Sequence, residues 1–347
     1  MKILYAIQGT GNGHITRAME LIPEIKERVS QLDIAISGTE SELKLNHPVK
    51  YKLKGLQYFF GKRGGIHFSK TLVNNNLFHF YKEISEFPIT DYDMLINDFE
   101  PVTAWSAQMK GVYSVGISNQ IAVLDHHVPR PNSADVLGKF ILKNFAPTTM
   151  KYGIHYKSYN ERIYKPVIRR EIRQMEPENG KFQIVYLPSW DDSVLKNIFS
   201  KFKKTDWHIF SKRAQKVSFF GNVAIYPVDN ELFLEKLEKC EGVVTNSGFG
   251  TTSEALYLNK KLLVFPMKGQ LEQQCNAYCL RQMGVSVIDN FGRKSLRIIQ
   301  DWLDSAHYIN LYYPKNNSRI IRQVFEDYFE YNRAMVNINE REILTTD

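Results

Sequence analysis

The sequence alternates short apolar runs with segments in which apolar residues recur at helical spacing. In the first half, strands buried on both faces are predicted at residues 2–7, 33–37, 92–98 and 113–118. The helices predicted between them lie at residues 15–29 and 102–110. Because strands that alternate with helices form βαβ units, this half predicts a parallel sheet covered by helices.

The second half of the chain repeats this alternation. Its helical patterns cover residues 192–202 and 230–240. Its apolar runs predict strands at residues 182–188, 207–211, 223–228, 242–246 and 261–266. Two such sets predict an α/β fold with two doubly wound, Rossmann-like domains.

Breaks in the pattern divide the chain. After residue 165, prolines, an asparagine and a glycine interrupt the alternation before the next strand begins. We therefore predict an N-terminal domain at residues 1–165 and a C-terminal domain at residues 166–315. The remaining residues, 316–347, carry a helical pattern with Asn317 or Ser318 as its cap.

Composition narrows the class of protein. With 43% hydrophobic and 24% charged residues, the 347-residue chain is typical of a globular protein. It shows neither a membrane-spanning apolar stretch nor a signal-peptide pattern, so we expect a cytoplasmic protein. Cys240, Cys275 and Cys279 form no disulfide framework and no zinc-binding spacing. The net charge of +8 favours an anionic partner, either a phosphorylated substrate or an anionic membrane surface, but the basic residues are scattered and indicate no nucleic-acid binding.

The sequence GTGNGHITRA, residues 9–18, joins the first strand to the first helix. Its glycines let backbone N–H groups approach a ligand, and the helix start favours an anion. The spacing matches neither the dinucleotide fingerprint nor a P-loop. His14 stands where the loop meets the helix, at the carboxyl end of a strand, which suits a general base. The alternative is a tight turn in which His14 only caps the helix.

A second loop of this kind lies in the other half. The strand that ends at Thr245 is followed by Asn-Ser-Gly-Phe-Gly and by a helix that starts near Thr251. Hydroxyls and free N–H groups at such a helix start can hold a diphosphate without a metal. Glu254, one turn later, has a carboxylate suited to two vicinal ribose hydroxyls, or it complements the helix dipole. Beyond Pro266, amides and a carboxylate crowd residues 269–277, as a sugar site or as an ordinary polar loop.

Together these residues resemble the nucleotide-sugar signature of the GT-B glycosyltransferases. The nearest branches are the UDP-sugar transferases and the peptidoglycan-precursor N-acetylglucosaminyltransferase. The matching positions are Ser247-Gly248-x-Gly250-Thr251-x-x-Glu254-Ala255, Pro266, Glu272-Gln273-x-x-Asn276-Ala277 and Gly284. The Gly11-x-Gly13-His14 turn resembles the N-terminal loop of the same family. The resemblance implies two domains with a cleft between them and a final helix that crosses back to the N-terminal domain.

The resemblance also implies roles for individual positions. It places the donor ribose on Glu254 and the acceptor near Gly11, Asn12, Gly13 and Arg17. The other positions implied to bind the nucleotide sugar are Ser189, Ser247, Gly248, Phe249, Gly250, Thr251, Thr252, Glu272, Gln273, Gln274 and Asn276. The nucleotide sugar is a substrate, and the resemblance implies no cofactor.

Asp98 stands at the carboxyl end of another predicted strand. It resembles the aspartate that orients the catalytic histidine in plant-type members of the superfamily. Such a carboxylate holds the imidazole in one tautomer and stabilises the imidazolium that forms during proton transfer. Asp98 could instead cap the helix after Pro101, with Glu100 as the reserve candidate for the partner of His14.

The function predicted is a metal-independent, inverting transfer of a sugar from a UDP-linked donor to a hydroxyl. The sequence Asp91-Tyr92-Asp93 spells the motif of metal-dependent transferases of another fold, but it precedes a strand of the wrong domain and is interpreted as a turn. The His-Cys-Gly-Trp run of the plant-type donor box is missing, which leaves the donor sugar and base open. Arg17 completes Gly-x-Gly-His-x-x-Arg, which also resembles nucleotide-sugar hydrolases of sialic-acid-like pathways. A non-catalytic nucleotide-sugar sensor is the third hypothesis.

The acceptor is the least determined partner. Residues 56–84 mix aromatic and basic side chains in the half where the family binds acceptors. That mixture suits a lipid-linked or anionic acceptor at a membrane face. A loop that covers the core would have the same composition.

Overall fold

The computed structural model describes residues 1–38, 45–56, 77–131 and 136–344, and its strands form two sheets. The first sheet is parallel throughout, in the order β3-β2-β1-β4-β5-β6-β7. Its strands are β1 (Lys2–Gln8), β2 (Gln31–Ser37), β3 (Tyr51–Leu53), β4 (Met94–Asp98), β5 (Ser114–Ser118), β6 (Met150–Ile154) and β7 (Ile163–Tyr164). The helices up to the second sheet are α1 (Asn12–Lys26), α2 (Leu77–Glu86), α3 (Pro101–Lys110), α4 (Asn119–Leu124), α5 (Val136–Phe145) and α6 (Arg170–Arg173).

The second sheet has the order β10-β11-β9-β8-β12-β13-β14, and only β10 runs antiparallel to its neighbour. Its strands are β8 (Phe182–Tyr186), β9 (Asp206–Ser211), β10 (Ser218–Phe220), β11 (Val223–Pro227), β12 (Gly242–Asn246), β13 (Lys261–Phe265) and β14 (Ser286–Val287). The remaining helices are α7 (Asp192–Phe199), α8 (Asn230–Lys239), α9 (Phe249–Tyr257), α10 (Leu271–Gln282), α11 (Arg293–Asp304) and α12 (Asn317–Leu344). The predicted α/β class with two doubly wound sheets is confirmed.

The strand order of each sheet reverses at one place. This switch point lies between β1 and β4 in the first sheet and between β8 and β12 in the second. Ligands of doubly wound folds bind in the crevice outside the carboxyl ends of the strands at such a point. The loop before α1 follows β1, and the loop before α9 follows β12, so the fold brings both glycine-rich loops to switch points.

The central strands are covered on both faces. Every residue of β4, β5, β12 and β13 is buried, which is the pattern of a parallel sheet between two layers of helices. One continuous cluster of buried apolar side chains extends from Ile3 in β1 to Val264 in β13. The two sheets therefore share part of their core.

Helix α12 returns to the first sheet. Its residues Ile320 and Val324 are fully buried, and Tyr328 packs edge-on against Tyr113 with ring centroids 5.4 Å apart. The Tyr152 hydroxyl, on β6, donates a hydrogen bond to Asp327. These contacts confirm the predicted final helix that crosses back to the N-terminal half.

Three sequence interpretations need correction. The helix of residues 271–282 occupies much of the stretch for which a polar loop was one interpretation. The sequence pattern missed this helix because its apolar residues are few and its first turn is polar. Helix α12 already includes Asn317 and Ser318, so neither precedes it as a cap. The edge strands β3, β7 and β14, two or three residues long, are too short to give a periodic pattern.

Within the ranges that the structure describes, no helix combines the length and apolarity needed to cross a bilayer.

His155, directly after β6, makes the stability of the fold depend on pH. It is fully buried, and neither ring nitrogen has a hydrogen-bond partner among the described residues. Burial lowers its pKa to about 3. Because the unfolded chain binds a proton at this histidine near pH ~6.5, the free energy of unfolding falls below that pH, by up to about 1.4 kcal/mol per pH unit.

The substitution His155→Leu tests this expectation. Urea unfolding between pH 4 and 8 is expected to show a shallower loss of stability in His155→Leu than in the unsubstituted protein. The exposed His126 provides the matched control, because His126→Leu removes a histidine without removing a buried one. Equal pH slopes in all three proteins would exclude His155 as the cause.

Candidate active site

His14 is carried by the first turn of α1, after a tightly packed glycine loop. A Cβ atom added to Gly9 would lie 2.8 Å from Ile36 Cγ2 and 2.9 Å from the Ser37 carbonyl oxygen, so no larger residue fits there. Gly11, immediately before α1, has φ +102°, which side chains other than glycine rarely adopt. This loop and the helix start hold the His14 side chain at the switch point of the first sheet.

The His14 side chain is hydrogen-bonded to Asp98, the last residue of β4. His14 Nδ1 lies 2.7 Å from Asp98 Oδ1, and the carboxylate is fully buried whereas the imidazole is 12% exposed. Arg17, one turn further along α1, donates from Nε to Asp98 Oδ2 at 2.7 Å and from Nη2 to Oδ1 at 2.6 Å. Asp98 therefore joins two side chains of α1 at one point.

The ion pair fixes the protonation of this cluster. Burial alone would raise the pKa of Asp98, but the positive charge of Arg17 and the hydrogen bonds from Arg17 and His14 outweigh it and hold the pKa below its ordinary value. Burial likewise opposes the charge on Arg17, yet Asp98 raises its pKa. Because the carboxylate has no proton to give, Nδ1 of His14 donates to Asp98 and the lone pair is on Nε2. A histidine of this tautomer can accept a proton at Nε2.

The backbone beside Asp98 is unusual. Phe99 has φ +58°, a left-handed conformation that costs energy for a non-glycine residue, and its ring is stacked on His14 with centroids 6.4 Å apart. Glu100, next in the chain, accepts hydrogen bonds from the backbone N–H groups of Val102 and Thr103 and so caps α3. The sequence left open whether Asp98 contacts His14 or caps the helix, with Glu100 as the reserve partner of His14. The structure assigns the histidine contact to Asp98 and the cap to Glu100.

Arg17 does not occupy the predicted acceptor-facing position. Only 7% of its side chain is exposed, and its guanidinium is directed into the Asp98 carboxylate. The physical reason is its spacing, because residues three apart on a helix share one face and Arg17 follows His14 by three. Gly11, Asn12 and Gly13 remain on the accessible loop.

The second loop faces the first. Gly248 precedes α9, and Gly250 and Thr251 stand on its first turn. A Cβ atom added to Gly250 would lie 3.7 Å from Gly13 Cα, so the two glycine-rich loops nearly touch. The positive ends of α1 and α9 are therefore directed toward one space.

That space is a cavity of about 420 Å³ between the two sheets, here called the donor cavity. Five predicted site residues line it, together with Thr16, Arg169 and residues of the β8 and α8 regions. The five are Asn12, Gly13, Gly250, Thr251 and Glu254. A volume of this order falls in the range of small-molecule sites.

Glu254 is held by a residue that sequence analysis assigned no role. Arg169, immediately before α6, donates from Nε to Glu254 Oε1 at 2.6 Å and from Nη2 to Oε2 at 2.8 Å. Both side chains are about nine-tenths buried. Burial would lower the pKa of Arg169, but the Glu254 charge raises it, so the guanidinium keeps its charge. Arg169 is one of several scattered arginines in the sequence, and nothing local marks it.

Several predicted donor contacts are structural instead. Ser247 and Asn276 are fully buried: the Ser247 hydroxyl donates to the Gln273 carbonyl oxygen at 2.7 Å, and the Asn276 amide donates to the Ser247 carbonyl oxygen at 3.1 Å. The Gln273 side chain accepts the Met267 N–H at 3.0 Å. These bonds fasten the loop before α9 to the start of α10, which is why the side chains are directed inward.

Two more predicted residues, both in α9, connect this helix to the chain just after β6 of the first sheet. Thr252 Oγ1 lies 2.7 Å from the Tyr156 hydroxyl, and both side chains are fully buried. The Phe249 ring packs on Tyr156 with centroids 5.0 Å apart and on His155 at 6.0 Å. Thr252 and Phe249 therefore position α9 rather than line the donor cavity.

The remaining predicted residues are dispersed. Gln274 lines a separate cavity beside Pro266 and Arg281, away from His14. Ser189 lies in the turn after β8, partly exposed, and is not among the residues that line the donor cavity. Glu272 Oε2 accepts from the Gln120 side chain at 2.9 Å, and burial raises the Glu272 pKa despite this hydrogen bond and the nearby positive charge of Arg17. Glu272 thus lies near the histidine cluster, between the two sheets.

Among the described residues, one carboxylate and two histidines also cluster after α4. The ligand atoms of Asp125, His126 and His127 lie within 4.8 Å of one another. Asp125 accepts hydrogen bonds from the His127 backbone at 2.9 Å and the Asn160 amide at 3.1 Å, which accounts for its position without an ion. Asp93 of the Asp-Tyr-Asp motif accepts the Lys2 N–H at 2.6 Å, in the turn that was predicted.

The family described as glycosyl transferase family 1 matches residues 1–305, which include both sheets and both facing loops. The chain belongs to glycosyl transferase family 1. This family membership makes it a glycosyltransferase by class. A search of the curated proteins found no match for this family 1 glycosyltransferase.

Solved structures of similar fold exist for the family 1 glycosyltransferase. The spinosyn forosaminyltransferase SpnP is 14% identical, with a TM-score of 0.53 over 94% of this chain and 95% of that one. MurG of Acinetobacter baumannii is 12% identical, with a TM-score of 0.55 over 88% and 91%. A putative UDP-N-acetylglucosamine 2-epimerase of Listeria monocytogenes is 11% identical, with a TM-score of 0.55 over 95% and 98%. At these identities the likeness shows a shared fold.

Proposed function

We propose that this glycosyltransferase moves a sugar from a UDP-linked donor to an acceptor hydroxyl, with inversion at the anomeric carbon and without a metal. The observation that carries the proposal is the hydrogen bond between His14 Nδ1 and Asp98, 2.7 Å long, one residue beyond Gly13, which lines the cavity that the start of α9 faces. In this proposal the start of α1 supplies the base and the start of α9 supplies the positive end of a helix dipole. Both are needed when a hydroxyl displaces a diphosphate.

The donor fits the donor cavity by charge. The N–H groups of Gly250 and Thr251 belong to the first turn of α9, where they have no partner within the helix and the helix dipole is positive. They are placed to bind the diphosphate. Glu254, held rigid by Arg169, presents a carboxylate to the ribose hydroxyls. A carboxylate that accepts two hydroxyl hydrogen bonds distinguishes a nucleotide sugar from a simple sugar phosphate.

The chemical step is a single displacement. An acceptor oxygen forms a bond to the anomeric carbon while the bond from that carbon to the diphosphate oxygen breaks, and the diphosphate leaves with the electron pair. His14 Nε2 receives the acceptor proton, and Asp98 stabilises the imidazolium. The start of α9 stabilises the charge that builds on the departing diphosphate. General base catalysis supplies about 10²–10⁴-fold, or roughly 3–5 kcal/mol of the barrier.

Transfer, hydrolysis and sensing are separated by one assay. The protein is incubated with UDP-glucose or UDP-N-acetylglucosamine, and free UDP is measured with and without a panel of hydroxyl acceptors. Transfer predicts UDP release that depends on an acceptor. Release without any acceptor would establish a nucleotide-sugar hydrolase instead, and binding of either donor without release would establish a sensor.

We further propose a lipid-linked acceptor and peripheral contact with an anionic membrane from the cytoplasmic side. Helix α5 exposes Val136 by 81% and Phe140 by 66%, and α2 exposes Phe78 by 78%. Exposed aromatic and aliphatic side chains on a chain of net charge +8 suit an anionic bilayer surface. Of the predicted segment 56–84, residues 57–76 lie outside the described residues.

Vesicle binding tests the membrane contact. Replacing Phe140 with aspartate is expected to weaken co-sedimentation with phosphatidylglycerol vesicles by about tenfold or more, because the ring loses its burial in the bilayer and the new charge is repelled. Phe219→Asp is the matched control, since Phe219 is 72% exposed on β10 of the other sheet. Equal losses in both variants, or equal binding of the unsubstituted protein to phosphatidylcholine vesicles, would contradict the proposal.

A further inference from the structure

A second, larger cavity adjoins the histidine cluster. It encloses about 780 Å³ between α4, α5 and the β6 to β7 edge of the first sheet, and we call it the acceptor cavity. Two of its lining residues also belong to the surroundings of the candidate base. Phe99 stacks on His14, and Gln120 donates to Glu272. The acceptor cavity therefore reaches the edge of the histidine cluster, and among the described residues it shares no lining residue with the donor cavity.

The acceptor cavity is lined with positive charge. Five of its residues are cations and two are carboxylates, Asp125 and Glu161. The cations are Arg130, Lys139, Lys143, Lys151 and Arg162. Among the residues that the structure describes, none of the five forms an ion pair. Asp125 is already occupied by the His127 backbone and the Asn160 amide.

Unpaired cations around one cavity have an energetic consequence. They repel one another, so each is stabilised when an anion with several oxygens enters the cavity. Arginine offers a planar fork that matches two phosphate oxygens, and lysine supplies a mobile point charge. A neutral sugar acceptor would accept hydrogen bonds from these side chains but would leave their charges uncompensated. The charge and volume together specify an acceptor that carries its own phosphate.

We propose that the acceptor cavity binds an acceptor bearing a phosphate or diphosphate group, at a place separate from the donor diphosphate. This inference rests on the proposed function, because it assigns the acceptor of that reaction. The phosphate is held by the cations of α5 and the β6 to β7 edge, and the reacting hydroxyl extends past Phe99 toward His14. The phosphate belongs either to a lipid or to a water-soluble sugar phosphate.

Calorimetric titration of the intact protein, saturated with UDP, tests the proposal. UDP fills the donor cavity, so a phosphate probe reports on the other cavity. The probes are farnesyl phosphate in detergent micelles, farnesol as its uncharged counterpart, and glucose 1-phosphate as the soluble phosphate. The test variant is Lys143→Gln with Lys151→Gln. The matched control is Lys201→Gln with Lys203→Gln, which removes the same charge beside a different cavity, at the amino end of β8.

At least one phosphate probe is expected to bind the unsubstituted protein. Its affinity for the test variant is expected to be lower by about tenfold or more, and its affinity for the control variant is expected to change little. Farnesyl phosphate as the better probe identifies a lipid phosphate, and glucose 1-phosphate as the better probe identifies a soluble one. The inference is overturned if farnesol binds as tightly as farnesyl phosphate does. It is also overturned if neither phosphate probe binds, or if both variants lose the same affinity for the probe. UDP binding is measured in the titration that saturates the protein before the probes are added. Failure of UDP to bind would contradict the proposed function itself, and this outcome is distinguishable from failure of a phosphate probe to bind.

Discussion

Replacing His14 with alanine is expected to lower sugar transfer by about 10²–10⁴-fold while the affinity for UDP stays within about twofold of the unsubstituted protein. The rate falls because no other group takes the acceptor proton at that place. UDP affinity is expected to persist because the proposed diphosphate and ribose contacts come from α9 and from Glu254, which line the donor cavity. Initial rates of UDP release at saturating donor and acceptor, with UDP binding measured by calorimetry, give both quantities.

Added imidazole provides the control for this substitution. The imidazole is 12% exposed and follows Gly13, which lines the donor cavity, so a small base in the buffer is expected to restore part of the activity of His14→Ala. Rescue distinguishes a lost base from a distorted loop. A variant that loses UDP affinity as strongly as it loses turnover would show that His14 serves the donor loop, and the base assignment would then be wrong.

The pair Arg169 and Glu254 gives the second large effect. Replacing either residue alone with methionine leaves a buried partner charge uncompensated, which costs about 3–5 kcal/mol in the free energy of unfolding. Replacing both is expected to recover most of that stability, because an apolar pair of similar volume needs no desolvation. UDP affinity behaves differently: the double variant stays impaired, since the ribose still has no carboxylate to bind.

Urea unfolding and UDP titration of the three variants measure this contrast. Lys239→Met, which breaks the exposed pair with Glu235, is the control and is expected to change neither quantity appreciably. Recovery of UDP affinity in the double variant would mean that Glu254 does not bind the donor. Failure of the double variant to regain stability would mean that the ion pair is not what holds α9 to the chain before α6.

Sequence periodicity identified the strands that matter most for the site. The runs that became β1, β4, β8 and β12 are continuous and apolar because each is buried on both faces, and their ends carry the polar residues that define the site. Glycine spacing marked the loop before α1 because only glycine tolerates the close packing of Gly9 and the φ of Gly11. Local physics thus sufficed for these four strands and for the position of His14 at the end of β1.

The side-chain network of the site depends on contacts between distant parts of the chain. Arg17 lies 81 residues from Asp98, Arg169 lies 85 residues from Glu254, and Gln120 lies 152 residues from Glu272. No local pattern specifies which of many arginines meets which carboxylate. Ser247 and Asn276 lie in the part of the sequence that resembles a donor site, yet both side chains are directed into the interior. Their sequence neighbours could not show this, because it depends on contacts with other parts of the chain.

The Tyr156 hydroxyl and Thr252 meet across the two halves of the molecule, and the Phe249 ring packs beside them. The Gln120 to Glu272 hydrogen bond and a shared buried core join the same halves. Any movement of the start of α9 away from the first sheet therefore breaks a hydrogen bond between two fully buried side chains, which costs about 1–3 kcal/mol.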